Sequence, residues 1–117
     1  MSKEPESTGP KELDAMIPAR DHHELLLENE HVRVLDSLVK PGEATSVHTH
    51  EWPSVQYIIG ISDFVRRDDE GNVLFDSRES KQRLAAGEAF WSGPLQPHSV
   101  LNVGNEDIRV ISVELKS

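Results

Sequence analysis

After His31, glycine, proline or a cluster of small polar residues cuts every run of β-prone residues short, roughly every ten residues. HVRVLDSLVK ends at Pro41-Gly42. SVQYIIGI follows, from Ser54 to Ile61. FVRR and VLFD flank the turn DDEGN, and KQRL runs into Ala86-Gly87. EAFWS stops at Gly93-Pro94, HSVLNV stops at GNED, and IRVISVELK follows. This punctuation leaves no segment beyond His31 with a helical apolar period. It predicts short antiparallel strands, with a hairpin across DDEGN, folded as an all-β sandwich or barrel.

Alternation along the strands gives faces. In the last strand Ile111, Val113 and Leu115 share one side, and Ile108 and Val110 the other. Both sides are apolar, so one is expected inside and the other against a second sheet or subunit. Ser54, Gln56 and Ile58 share a face, which puts two polar groups where a purely structural barrel would carry apolar ones. Residues 1–20 are read as a flexible polar tail and 21–117 as a single domain. Leu13, Met16 and Ile17 suggest a short helical turn, and Leu25 to Leu27 a covering strand.

Charge and composition narrow the partners. The net charge of −9 lacks the basic footprint of a nucleic-acid or anionic-membrane binder. No apolar run reaches bilayer length, and MSKEPESTGPKE has no apolar signal-like stretch, so a cytoplasmic location is expected. With no cysteine there is no thiolate ligand, thiol nucleophile or disulfide. G-x-S-x-G and Gly-rich phosphate loops are also missing from the sequence.

What remains is histidine. His48 and His50 are two apart at the end of PGEATSVHTH, so in a strand both imidazoles stand on one wall. His98, in GEAFWSGPLQPHSVLN, is placed to supply a third. Three neutral imidazoles without cysteine make a site for a divalent transition metal. Gln56 and Ser54 are candidate further ligands or pocket groups. Trp52, Tyr57, Phe90 and Trp91 are candidate pocket walls, with Phe90 and Trp91 on opposite faces. Asn102 is read as fixing a turn. Arg66 and Arg67, beside Asp68, Asp69 and Glu70, are read as a solvated hairpin tip. His22, His23 and His31 are read as surface or interface groups.

These motifs resemble those of a small single-domain cupin. Gly42, His48 and His50 match its first motif; Gly87, His98 and Asn102 match its second. The resemblance spans residues 31–116. It implies a double-stranded β-helix (cupin, or jelly-roll) barrel, a metal site near the barrel mouth and a homodimer. The chain departs from the pattern in three places. Ser54 stands where the family's metal-binding Glu belongs, Gly60 comes one residue early, and Gly93-Pro94 replaces a Pro-x-Gly. The expected site is therefore His48, His50 and His98 holding Fe, Mn, Ni or Zn. Its expected use is a small-molecule oxygenase, isomerase or lyase reaction. All-histidine ligation resembles that of some cupin oxygenases. The alternative is a non-enzymatic cupin that binds a small ligand, or a dimeric structural module with a degenerate site.

Overall fold

A computed structural model describes residues 11–116. Its strands are β1 (His23–Glu28), β2 (Val32–Val39), β3 (His48–His50), β4 (Ser54–Gly60), β5 (Phe64–Asp68), β6 (Val73–Asp76), β7 (Ala89–Ser92), β8 (Leu95–Asn102) and β9 (Ile108–Leu115). They form two antiparallel sheets, ordered β1-β2-β9-β4-β7 and β3-β8-β5-β6. The expected all-β barrel and the hairpin across DDEGN are both present.

The pairing fixes which side chains face inward. β2 and β9 run in unbroken register from Val32 opposite Leu115 to Val39 opposite Ile108. β4 pairs with the other edge of β9, setting Ser54 opposite Glu114 and Gln56 opposite Ser112. The inward set is thus Arg33, Leu35, Ser37 and Val39, with Ile108, Val110, Ser112 and Glu114, and with Ser54, Gln56 and Ile58. In β9 the interior therefore takes the side with Ile108 and Val110. The more apolar side, Ile111, Val113 and Leu115, faces out.

Among the described residues the largest completely buried apolar side chains are Leu35 and Ile58, and His48, Glu114 and Asn102 are buried just as deeply. Burying polar groups costs free energy unless each is hydrogen-bonded. Asn102 meets that condition: Nδ2 donates to the Val39 and Glu106 carbonyls, and Oδ1 accepts from Gly104 N–H. It ties loops together, as its position suggested.

The two motif glycines are turn residues. Gly42 and Gly87 have φ of 82° and 90°, a left-handed conformation that favours glycine. Gly42 N–H donates to Asn102 O, and Gly87 N–H to Ile58 O, so each turn is pinned to a neighbouring strand end.

Part of the stretch read as a tail, residues 1–10, lies outside the described residues. Residues 11–20 are folded, which shortens the expected tail. Ala15 and Ala19 are buried, Asp14 bridges to Thr49, and Ala15 N–H donates to Thr49 O. A 3-10 turn at Arg20–His22 then delivers the chain into β1. The segment covers the outward side of β3, so all three residues of that strand are buried.

Candidate metal centre

A cavity of about 200 Å³ lies between the sheets. At one end four histidines gather. His48 and His50 come from β3, His98 from β8 and His23 from the first position of β1. His48 lies opposite His98, but His50 lies opposite Leu95, so β8 spends one extra residue at Gln96-Pro97. Proline cannot donate to a strand ladder and is accommodated at such a bulge.

The rings pack closely. His48 lies 4.4 Å from His98, 4.9 Å from His23 and 5.0 Å from His50, centroid to centroid. The candidate ligand atoms of His23, His48 and His50 all lie within 4.8 Å of one another. Two nitrogens on opposite sides of one ion are about 4.2 Å apart. His98 borders the same cavity beside this group.

Each ring is held from behind. Nδ1 of His48, His98 and His23 donates to the carbonyls of Ser46, Gln96 and Ala19, at 2.7, 2.7 and 2.8 Å. Nδ1 of His50 donates to Glu114 Oε2 at 2.8 Å. A carbonyl or carboxylate oxygen only accepts, so the proton sits on Nδ1, and in the neutral ring the lone pair is on Nε2. Burial, helped by neighbouring imidazoles, pushes the pKa of His48 down to about 2. Burial likewise lowers His98 to about 3 and His23 to about 4. These three rings are neutral near pH 7 and have the ligating protonation state.

Behind His50 runs a charged relay. Arg33 Nε donates to Glu114 Oε1 at 2.6 Å, and its two Nη atoms donate to both oxygens of Asp14 at 2.9 Å. Asp14 also accepts from Met16 N–H. Burial alone would raise the Glu114 pKa, but the bonds from His50 and Arg33 outweigh it and the pKa is lowered. The carboxylate missing at Ser54 thus has a counterpart one layer out. It grips the back of an imidazole, an arrangement that fixes ring orientation at metal sites.

The other expected pocket groups divide. Ser54 is buried and accepts from Gln56 Nε2 at 3.0 Å, and Gln56 lines the cavity. Tyr57, opposite Ala89 and Ile111, is on the outer face and does not line the cavity. Trp91 borders the cavity, but it stands opposite Val55 on the outer side and is 60% exposed. Phe90 is the inward member of that pair. Trp52 covers the relay instead, with the Arg33 guanidinium 5.0 Å above its ring.

Three groups depart from the sequence reading. His23 is buried in the cluster rather than at the surface. Arg66 lines the cavity rather than capping a solvated hairpin tip. Glu114 was not singled out at all; its inward register beside Ser112 was the available signal. His22 lies 3.4 Å from Glu43, and His31 is exposed beside Glu30; neither belongs to the His23, His48 and His50 group.

No protein-family model and no curated protein matches the chain. Solved structures do. A cupin domain from Bordetella pertussis Tohama I is similar at TM-score 0.65 and 21% identity, over 81% of this chain and 92% of that one. An RmlC-like cupin family protein with a double-stranded β-helix fold, from Methanocaldococcus jannaschii, is similar at 0.57 and 14%, over 80% and 78%. The polyketide cyclase RemF from Streptomyces resistomycificus is similar at 0.53 and 19%, over 81% and 64%. At such identities the likeness is one of fold, and with the two antiparallel sheets it shows that this chain adopts the double-stranded β-helix fold seen in cupin domains.

Proposed function

We propose that this chain is a metal-dependent cupin acting on a small organic molecule, by oxygenase, isomerase or lyase chemistry. His48 and His50 would hold the ion together with His23, and His98 would complete the set. The observation that carries this reading is the shared anchoring of the rings. Four buried imidazoles, each tied through Nδ1 to a protein acceptor, turn toward one small volume. Nothing in strand geometry alone demands such an arrangement, and an apolar interior would be more stable.

An all-imidazole donor set suits Fe, Ni or Zn better than Mn, which favours oxygen ligands. Bound there, the ion supplies Lewis-acid chemistry to an oxygen of the small molecule. The chain's own residues orient the rings, exclude water and hold the ligand in the cavity. A protein of similar fold is a polyketide cyclase, which supports chemistry on a small organic molecule.

Metal analysis tests the reading. Purified wild type is expected to carry close to one ion per chain, and the triple variant His48→Ala/His50→Ala/His98→Ala close to none. Equal metal content in the two removes the reading. A chain that takes up no metal yet binds a metabolite would favour the non-enzymatic alternative.

The same proposal includes a second copy of the chain. Val55, Tyr57 and Trp91 form an exposed apolar face on the outside of the five-stranded sheet. A homodimer through that face should be seen by sedimentation, and Trp91→Glu should shift it to monomer.

A further inference from the structure

Arg66 is the least expected charge in the molecule. It sits on β5 opposite Val100 and Phe75, on the same inward side as Phe64, and it lines the cavity. Its Nε is buried and meets no acceptor; it is the one buried side-chain nitrogen or oxygen so placed among the described residues. Four other arginines each hold a carboxylate: Arg33 with Asp14 and Glu114, Arg78 with Asp76, Arg83 with Asp63, Arg109 with Asp36. Arg66 has no ion pair among the described residues. Burial alone acts on its pKa, pulling it down, with no acid to offset the effect.

A buried guanidinium nitrogen that meets no acceptor is costly. Among the described residues the lining of the cavity contains no aspartate, glutamate or lysine, and His23, His48 and His98 are neutral there. The cavity walls are mostly apolar, with Ile58, Phe64, Phe90 and Val100 bordering the space beside Gln56 and Ser112. Arg66 is also near the histidines, since its charge bears on His98.

We propose that Arg66 anchors the carboxylate of a small organic acid whose apolar body fills the cavity and whose other end faces the histidines. One uncompensated positive charge calls for one negative charge, and the planar guanidinium matches a carboxylate through paired hydrogen bonds. The apolar walls select a compact hydrocarbon body over a sugar or a phosphate ester, and the volume of about 200 Å³ sets its size. This inference rests on taking the cavity as the ligand site of the proposed function, and it names the substrate class.

Calorimetric titration of the metal-free protein tests it, with benzoate and hexanoate as probes against benzamide and hexanamide of the same shape. At least one acid should bind wild type tenfold or more tighter than its amide, as expected of charge-assisted hydrogen bonds. Arg66→Gln should abolish that preference, and Arg66→Lys should keep part of it. The proposal is overturned if no probe binds, if acid and amide bind alike, or if Arg66→Gln retains the preference. Inorganic phosphate binding more tightly than any acid would also overturn it. Should Arg66→Gln fail to fold, the acid–amide comparison in wild type decides alone. Metal content measured on the same samples separates the two readings. An acid preference in a chain that loads no metal upholds the subsite and removes the metal. Metal loading without an acid preference removes the subsite and leaves the metal.

Discussion

Arg33 on β2 and Arg66 on β5 both occupy inward strand positions, yet their surroundings are opposite. Arg33 is stacked on Trp52 and locked between two carboxylates, and through Glu114 it steadies His50. Arg66 lines a cavity with no acid in its lining among the described residues. One side of the barrel is a finished polar network and the other is unfinished. A finished network gives a fixed geometry, which is what ligand orientation at a metal needs. An unfinished one gives a place for a missing partner. The fold thus separates the group that positions the site from the group that waits for a ligand.

Acid should act most strongly on the histidine cluster that the finished side supports. His23, His48 and His98 ionise at about 4, 2 and 3 in the folded chain, below their ordinary value of about 6.5 when unfolded. Below about pH 6.5 the unfolded chain therefore binds protons that the folded chain refuses. Stability is full above that pH and falls as pH drops toward 4, by about 1.4 kcal/mol per unit for each histidine and about 4 for the three together. Urea titrations of metal-free protein at pH 7, 6 and 5 should show this slope, and added metal should reduce it. A flat profile would mean that these rings are not buried in neutral form.

The two arginines can be compared directly. Arg33→Met strands Glu114 and Asp14 without their cation and should cost about 3–5 kcal/mol by denaturant unfolding. Arg66→Met removes a group with no partner to strand and should change stability by about 1 kcal/mol or less. Similar losses for both would erase the distinction. A smaller effect is expected within the network itself. Glu114→Gln keeps the shape but weakens the hold on His50, and should lower metal affinity by about 10–100-fold.

Turn punctuation made most strands legible, because Gly42, Gly71 and Gly87 mark chain reversals whatever packs around them, whereas Pro97 lies inside β8 at its bulge. His48 and His98 were legible from motif spacing, and the register brings them directly opposite. His23 was not. It reaches the cluster only because β1 pairs with β2 and residues 11–22 fold over β3, which no local pattern announces. Glu114 was hidden by a strand apolar on both sides, whose inward face turned out to be the more polar one. Arg66 was masked by its acidic neighbours, although the turn begins only after it: Asp68 is bound to the Asn72 and Glu70 N–H groups, and Arg66 is two residues inside. Trp91 and Phe90 both border the cavity, but alternation alone left open which of them faces inward, and the register chooses Phe90.

The central claim is that these imidazoles form one metal site. A crystal grown with Zn²⁺ or Fe²⁺ and measured at the metal's absorption edge tests it most directly. The account predicts one strong anomalous peak about 2.0–2.2 Å from Nε2 of His23, His48 and His50, with His98 beside it. No peak in the cavity, or an ion held only by surface carboxylates, would contradict it.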